Sequence, residues 1–514
     1  MPVRSVAAAY RNEEADLLPF YAAWPRELLT NRLVTGECWP GLAQELAAYQ
    51  SSIGNPPPDL GESFIVTGQQ PALFTGPLYT VYKIATAIRL ARQISDKHGI
   101  RCTPVFWQGS DDHDFEEAHS ATVLTKNHEP MTLTYNPMHD VAGLSMYRVP
   151  LDASVHDLVD RAADATPGSE YREEVRAFLH DSLSAASSLA DWSARIIARL
   201  FAGSGLVIFT SECQSARKAA RDIIEKEIRE PLISTRLVNE AGTQLAALGY
   251  ERQVSKGETD CGFFLDVHNR RCKVTYQDGM FHAPSVELRF TQDQLLGVLE
   301  EEPERFSPNV ALRTVVQQRL FPTAAYVAGP GEIAYWGQFK PLFDLFNLQM
   351  PVVYPRAQCA LTTSKLNKLK NKLGLDGAST DWTSPDDLIT QAMRSGASNP
   401  LVAAFQSRRA SVELEMKALE AELAKAPVPA PTLTERVVTA FDNYERMLLR
   451  ADETRYETVK QQVTRLCNTF SPFRKPQERV YTIVSFLFEH GWDLVPRIVR
   501  EIEIERFELN EIEL

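Results

Sequence analysis

The residues best equipped for chemistry sit in three short stretches. In SDDHDFEEAH, Asp111, Asp112, His113, Asp114, Glu116, Glu117 and His119 fall within nine residues. So much like charge in one place is unfavourable unless a cation, a basic partner or a bound substrate offsets it, so Asp111 to Asp114 are expected to face a site. Glu116, Glu117 and His119 fit as well at the start of a helix, where acids complement the dipole. Carboxylates beside imidazole are also metal-ligand chemistry, but no recognised ligand spacing is present, and no metal ligands are assigned.

The second stretch is VTGQQPALFTGPLYTVYK, Val66 to Lys83. Gln69, Gln70, Thr75 and Tyr79 offer polar groups, while Gly68, Pro71, Gly76 and Pro77 set a backbone that can approach a ligand closely. Lys83 falls in the first turns of the following helix, where its ammonium and the helix amino terminus both favour an anion. Neither GxxxxGK[ST] nor GxGxxG is present, so a plain tight strand-to-helix turn remains open. The third stretch, AGPGEIAYWGQFKPLF, reads as a turn through Gly329, Pro330 and Gly331 with Glu332 opening a helix to Phe343; Glu332 suits an amino-group ligand or simple dipole complementarity. Arg356 follows the short run VVY and suits a carboxylate or phosphate, or pairing with the acidic cluster.

These side chains need a scaffold that brings them to one face. SFIVTGQ, Thr103–Gln108, Gly205–Thr210, Ala324–Ala328 and Val352–Tyr354 are short apolar runs of buried-strand type. Helical patterns lie between them: Leu78, Val81, Tyr82, Ala85, Ile88 and Ala91 form one apolar face that runs on to a stop at Gly99, and another helix covers about 214–229. Such alternation predicts an α/β fold with a parallel sheet, whose ligand sits beyond the carboxyl ends of the strands.

Two segments interrupt the core. Residues of about 121–202 contain short alternating runs (ATVLT, MTLTYN, SMYRVP) expected as small strands, then a pair of helices; about 250–300 contains hairpin signals at Asn-Arg and Asp-Gly. Residues 1–60 read as a helical appendage, 61–380 as the core, 381–470 as a helical arm and 471–514 as a tail with one apolar helix. In the arm, Phe405, Val412, Met416, Leu419 and Leu423 take heptad a and d positions, and Val437, Phe441, Tyr444 and Leu448 repeat the spacing after the break APVPAP and a capping box of Thr432 with Glu435. The pattern is that of an antiparallel coiled-coil hairpin, a structural or dimerising arm. Lys475, Gln477, Glu478 and Arg479 are more simply explained by capping and ion pairing than by a second pocket.

The chain has 514 residues, 44% apolar, with a formal charge of −13. That length supports more than one domain, and the acidic total argues against general affinity for nucleic acid or anionic membrane. No run reaches transmembrane length and no secretory signal is evident, so a cytoplasmic protein without membrane partners is expected. Seven scattered cysteines without CxxC suggest reduced thiols.

VTGQQPALFTGPLYTVYK, PVFWQGSDDHDFEE, FSPNVALR, AYVAGPGEIAYWGQFKPLF, MPVVYPRA and KPQERV together closely resemble the BshC family, cysteine ligases of bacillithiol biosynthesis, across nearly the whole chain. The resemblance implies a Rossmann-like core similar to class I aminoacyl-tRNA synthetases, two connecting insertions and a coiled-coil arm that forms a homodimer. Where those synthetases carry His-Ile-Gly-His, this chain has TGPLYTVYK without histidines, and TTSKLNK is only a faint echo of Lys-Met-Ser-Lys-Ser. The implied reaction joins the carboxyl group of cysteine to the amine of glucosaminyl malate, with ATP activating the carboxyl. Under that reading Gly68, Thr75, Gly76, Tyr79 and Lys83 hold phosphate or adenylate. Asp111 or Asp112 holds the cysteine ammonium, His113 takes a proton from the attacking amine, and Arg356 holds the malate carboxylates. Gln69, Gln70, Asp114, Gly329 and Glu332 complete the expected site. The missing signatures leave two other readings open: a non-catalytic dimeric scaffold on a degenerate nucleotidyltransferase core, and a ligase of this fold for a different amine.

Overall fold

Five strands form one wholly parallel sheet: β1 (Ser63–Gln69), β2 (Cys102–Gln108), β5 (Val207–Thr210), β11 (Thr323–Ala328) and β12 (Val352–Pro355). Their order is β12-β11-β1-β2-β5. The computed structural model describes residues 4–30, 33–377, 380–395, 400–425, 433–451 and 453–514. β1, β2, β5 and β11 are buried almost end to end because helices cover both faces, which is why these strands read as unbroken apolar runs. From β1 the chain steps outward through β2 to β5, then returns to place β11 and β12 on the other side. The order reverses between β1 and β11, and an open α/β sheet binds ligand outside that point.

The core is dense with rings: Trp107 lies 4.2 Å from Phe209, and Phe321 lies 5.2 Å from Phe64 and 5.4 Å from Phe209. Helix Tyr79–His98 follows β1 with its apolar face inward and stops at Gly99, whose φ of 66° makes the left-handed cap. Between β1 and this helix, Phe74, Thr75 and Gly76 all take positive φ (51°, 68° and 75°). That strained turn is clamped from behind, since Thr482 Oγ1 donates to the Phe74 carbonyl at 2.8 Å and the Leu78 amide donates to the Tyr481 carbonyl at 2.8 Å.

The chain divides into two compact units, the first of residues 1–125, 131–360 and 481–512, the second of 126–130, 361–480 and 513–514. β3 (Ser120–Leu124) and β4 (Pro130–Thr134) form a two-stranded sheet. A five-stranded antiparallel sheet, in the order β10-β6-β7-β8-β9, holds β6 (Asp260–Val267), β7 (Arg270–Gln277), β8 (Met280–Ala283), β9 (Leu288–Phe290) and β10 (Phe306–Pro308). Several local expectations are corrected. SMYRVP is not a strand: Met146–Arg148 is a 3-10 turn, because the Met146 and Tyr147 amides bond to the carbonyls of Asp112 (2.7 Å) and Ser110 (3.2 Å) instead of a ladder. The helix expected from Glu332 to Phe343 begins at Pro330, where proline suits the first helical position, and splits into Pro330–Trp336 and Lys340–Leu345 ahead of Pro341. The single helix expected in the tail is two, Val484–His490 and Leu494–Glu501, broken at Gly491 with φ 66°. Among the described residues of WPRELLTNRL there is only a 3-10 turn, over Pro25–Leu29.

The second unit is helical. Pro400–Leu423 packs on Leu433–Arg450, with Phe405 and Phe441 rings 5.5 Å apart, and a third helix, Glu453–Phe470, follows. Tyr444, expected on the seam, is 64% exposed, whereas Glu445 beside it is buried and accepts from Arg394, Gln406 and Arg409. The break APVPAP and the capping residue Thr432 lie outside the described residues. Gln477 is buried on Leu361 and Thr469, a structural role. Cys102, Cys261, Cys272 and Cys467 are buried thiols, and no described helix is long and apolar enough to cross a membrane.

Gly68 sits where β1 and β2 press together. A Cβ there would come within 3.1 Å of the Trp107 carbonyl oxygen and 3.3 Å of the Tyr326 hydroxyl. Gly68→Val is expected to cost about 1–3 kcal/mol in urea unfolding by overpacking, and a change below a few tenths would show that the sheet yields freely there.

Candidate active site

The carboxyl ends of β1 and β11 are joined by a buried charge. Lys83, on the second turn of its helix, is 1% exposed, and its Nζ lies 2.6 Å from Glu332 Oε2. It also donates to the Gly68 carbonyl and, at 3.3 Å, to Gln69 Oε1. Burial pulls the lysine's pKa down, and Glu332 opposes that pull while Arg356 and Arg313 add to it. Glu332 caps its own helix through the Gly329 amide at 2.7 Å and accepts from the Tyr326 hydroxyl at 2.7 Å. The anion-holding part expected of Lys83, and the amino-group part expected of Glu332, are therefore redirected: each is the other's partner. Thr75 and Gly76 are likewise buried under the turn, not presented at its rim, because the run of positive φ folds them inward. Gln69, Gln70 and Tyr79 remain partly exposed. Arg356 is 5% exposed, donates to the Ala357 carbonyl at 2.9 Å and lies 5.7 Å from the Tyr79 ring.

The acidic cluster separates into distinct environments. Asp111 is held by both terminal nitrogens of Arg217, a buried fork on helix Gln214–Arg229, so its expected grip on an ammonium is corrected to an internal ion pair. Asp112 accepts from Gln70 and from the amides of His113 (2.7 Å) and Asp114 (3.1 Å), and its side chain stays 31% exposed. Asp114 caps helix Phe115–Ala118 through the Glu117 amide, the plain helix-start role that fits Glu116 and Glu117 as well. His113 is 36% exposed, with Nδ1 3.4 Å from Arg271 Nη1 and its ring 5.5 Å from Phe264. Burial, then the Arg271 charge, push the imidazole pKa below its usual value, with Asp112 and Asp114 pulling the other way. The ring is therefore neutral at pH 7.

Sequence reasoning missed four groups. Arg217 and Arg271 come from a helix and from the second insertion, far from the cluster in sequence. Arg313, on helix Val310–Leu320, lies 5.5 Å from the Trp107 ring and 5.7 Å from the Tyr326 ring, with no carboxylate partner among the described residues. Glu212, just past β5, accepts from Ser110 Oγ at 2.5 Å and from Thr210, and burial raises its pKa. The available signal is FSPNVALR: its Phe306 carbonyl receives Arg217, its Ser307 hydroxyl and Pro308 carbonyl receive Arg271, and it ends in Arg313. Among the described residues no group of histidine, cysteine and acid side chains is arranged to hold a metal.

Breaking the Lys83–Glu332 pair should be costly, because either residue alone leaves a buried uncompensated charge. Lys83→Met is expected to lose about 3–5 kcal/mol in urea unfolding, and the double variant with Glu332→Gln to lose less than the sum of the singles. Strictly additive losses would mean the two charges are not coupled.

Comparison with known proteins places this geometry in a family. Residues 60–357 match the model described as "Bacillithiol biosynthesis BshC, N-terminal Rossmann-like domain", and residues 360–514 match "Bacillithiol biosynthesis BshC, C-terminal coiled-coil domain". A protein of Salinibacter ruber named "Putative cysteine ligase BshC" is 32% identical over 496 residues, covering 95% of this chain and 87% of its own. A protein of the same name from Symbiobacterium thermophilum is 30% identical over 547 residues, covering 97% and 95%, and one from Prosthecochloris aestuarii is 29% identical, covering 93% and 86%. Matched along both domains and by full-length relatives, the chain belongs to the BshC family of bacillithiol biosynthesis.

Proposed function

We propose that the protein is a carbon–nitrogen ligase that joins cysteine to the amine of glucosaminyl malate at the carboxyl ends of β1, β2 and β11, with ATP consumed. The observation that carries this reading is a neutral, partly exposed His113 placed between Asp112 and Arg271 just past the carboxyl end of β2, the neighbour of β1. Gln69, Gln70 and Tyr79 offer polar groups at the rim, and Arg313 offers a guanidinium without a carboxylate partner among the described residues. That donor set fits a nucleotide; Gly68 is buried against Trp107 and Tyr326 with its carbonyl held by Lys83, so the ligand contact expected of it is corrected to a packing role. When bound, ATP supplies the activation that turns the cysteine carboxyl into an acyl donor.

The remaining work falls to side chains. With Asp111 committed to Arg217, Asp112 is the cluster carboxylate that meets the cysteine ammonium. As the new C–N bond forms, the nitrogen must lose a proton, and His113 receives it. Arg271 can only donate, so the hydrogen-bond pattern assigns the lone pair to Nδ1 and the proton to Nε2 of His113. Nδ1 can take the amine's proton only once its long contact with Arg271 opens, because the same lone pair accepts from Arg271 in this structure. Lys83 and Glu332 act as positioning residues that lock the two strand ends.

Cysteine-dependent exchange between ATP and pyrophosphate, together with amide formation from cysteine and glucosaminyl malate, tests the reading; absence of both in the wild-type protein overturns it. His113→Gln is expected to slow amide formation about 10²- to 10⁴-fold while leaving exchange intact. The acidic limb of the kcat/KM profile is expected below the usual imidazole pKa of about 6.5, since protonation removes the base.

We infer that two copies pair through the helical unit, because Leu414, Leu419, Tyr444 and Met447 stand exposed on helices Pro400–Leu423 and Leu433–Arg450 (74%, 41%, 64% and 66%). Replacing Leu414 and Met447 by glutamate is expected to convert a dimer to a monomer in sedimentation velocity; an unchanged dimer would move the interface elsewhere.

A further inference from the structure

Arg271 is a guanidinium built into a low-dielectric setting with no carboxylate in direct contact among the described residues, although the Asp111 and Asp112 charges nearby favour it. It stands on β7, its Cζ 3.7 Å from the Phe264 ring centre, and burial works against its charge. Nε donates to Ser307 Oγ at 2.9 Å and Nη2 to the Pro308 carbonyl at 2.9 Å, so β10 fixes the fork in place. Nη1 leans on His113 Nδ1 at 3.4 Å, a long and weak contact. Of the five N–H groups that an arginine carries, three are used and two are left. No carboxylate lies within ion-pair distance of Arg271 among the described residues. Asp111, the obvious candidate, is taken by Arg217, itself anchored on the Phe306 carbonyl. The residue is nevertheless only partly covered.

Leaving a guanidinium in this state is costly unless an anion completes it. A planar fork held rigidly by β10 suits a carboxylate, which takes two parallel bonds from it. We propose that Arg271, held by the Ser307 and Pro308 part of FSPNVALR, binds a carboxylate of the malate group of the amine substrate and so selects a dicarboxylate-bearing acceptor. This rests on the reading of the protein as a ligase for that amine and replaces the malate-binding part expected of Arg356, which is 5% exposed. The carboxylate is assigned to the acceptor, not to nucleotide or cysteine, because Arg271 touches the histidine that receives the proton of the attacking amine. A bound carboxylate also offsets the positive charge beside His113, so acceptor binding and base strength rise together.

The test is equilibrium binding to the full-length protein, with malate, its dimethyl ester, cysteine and ADP as separate probes, by calorimetry on wild type, Arg271→Gln and Arg271→Lys. Wild type is expected to bind malate and to discriminate against the ester. Arg271→Gln should lose about 10- to 100-fold in malate affinity, the range of a charge-assisted bidentate contact, and lose the discrimination; cysteine and ADP affinities should stay unchanged. Arg271→Lys keeps the charge without the fork and should fall between. Thermal unfolding and the unchanged ADP affinity identify variants that are folded. Equal malate binding by wild type and Arg271→Gln, no malate binding by wild type, or a loss confined to ADP would each overturn the proposal. None of these outcomes depends on catalysis, whereas failure of the ligase reading would show as absent pyrophosphate exchange in wild type.

Discussion

The site hangs on one buried ion pair. Lys83 and Glu332 belong to the helices that follow β1 and β11, the two strands between which the sheet reverses order. An ammonium taken out of water is tolerable only with a close countercharge and further acceptors. The Glu332 carboxylate, the Gly68 carbonyl and Gln69 supply these, and Tyr326 and the Gly329 amide satisfy the carboxylate in turn. The groups in this network come from β1 and β11 and from the turns and first helical residues that follow them. Locking them together fixes the spacing of the two strand ends.

A second electrostatic theme is the division of the charged residues into those already neutralised and those left open. Asp111 and Arg217 cancel each other in a buried fork, and Asp114 is spent on a helix cap. Asp112, His113 and Arg271 remain at a partly exposed edge, a carboxylate, a neutral imidazole and a guanidinium within reach of one another. Such a set can meet an ammonium, move a proton and hold a carboxylate. Those are the three recognitions that amide formation between cysteine and an acidic amine requires.

Much of the framework was legible from pattern. The five core strands were visible as apolar runs, because a parallel sheet covered on both faces needs no alternation of polar residues. The antiparallel strands over 260–283 were legible from their turn dipeptides. Pattern was less reliable where a neighbouring segment captured backbone groups. SMYRVP carries strand-like residues, yet its amides go to the Ser110–Asp112 loop. Tyr444 sits at a helical spacing that fits the seam, yet it points to solvent while Glu445 is buried among arginines.

The chain's own residues determined which side chains gather at the sheet's carboxyl edge, since strand order and loop position follow from hydrophobic runs and turn chemistry that are local in sequence. They also determined family membership, through long motifs. Tertiary structure alone decided what each side chain is free to do. Whether Lys83 meets a phosphate or Glu332, and whether Asp111 meets a substrate or Arg217, turns on partners far away in the sequence. Charges in a poorly polarisable interior are settled by their nearest opposite charge, and that neighbour is set by packing, not by spacing along the chain. FSPNVALR shows the same limit: it stood out in the sequence without a purpose, and only the fold revealed it as the bracket that holds two arginines in place.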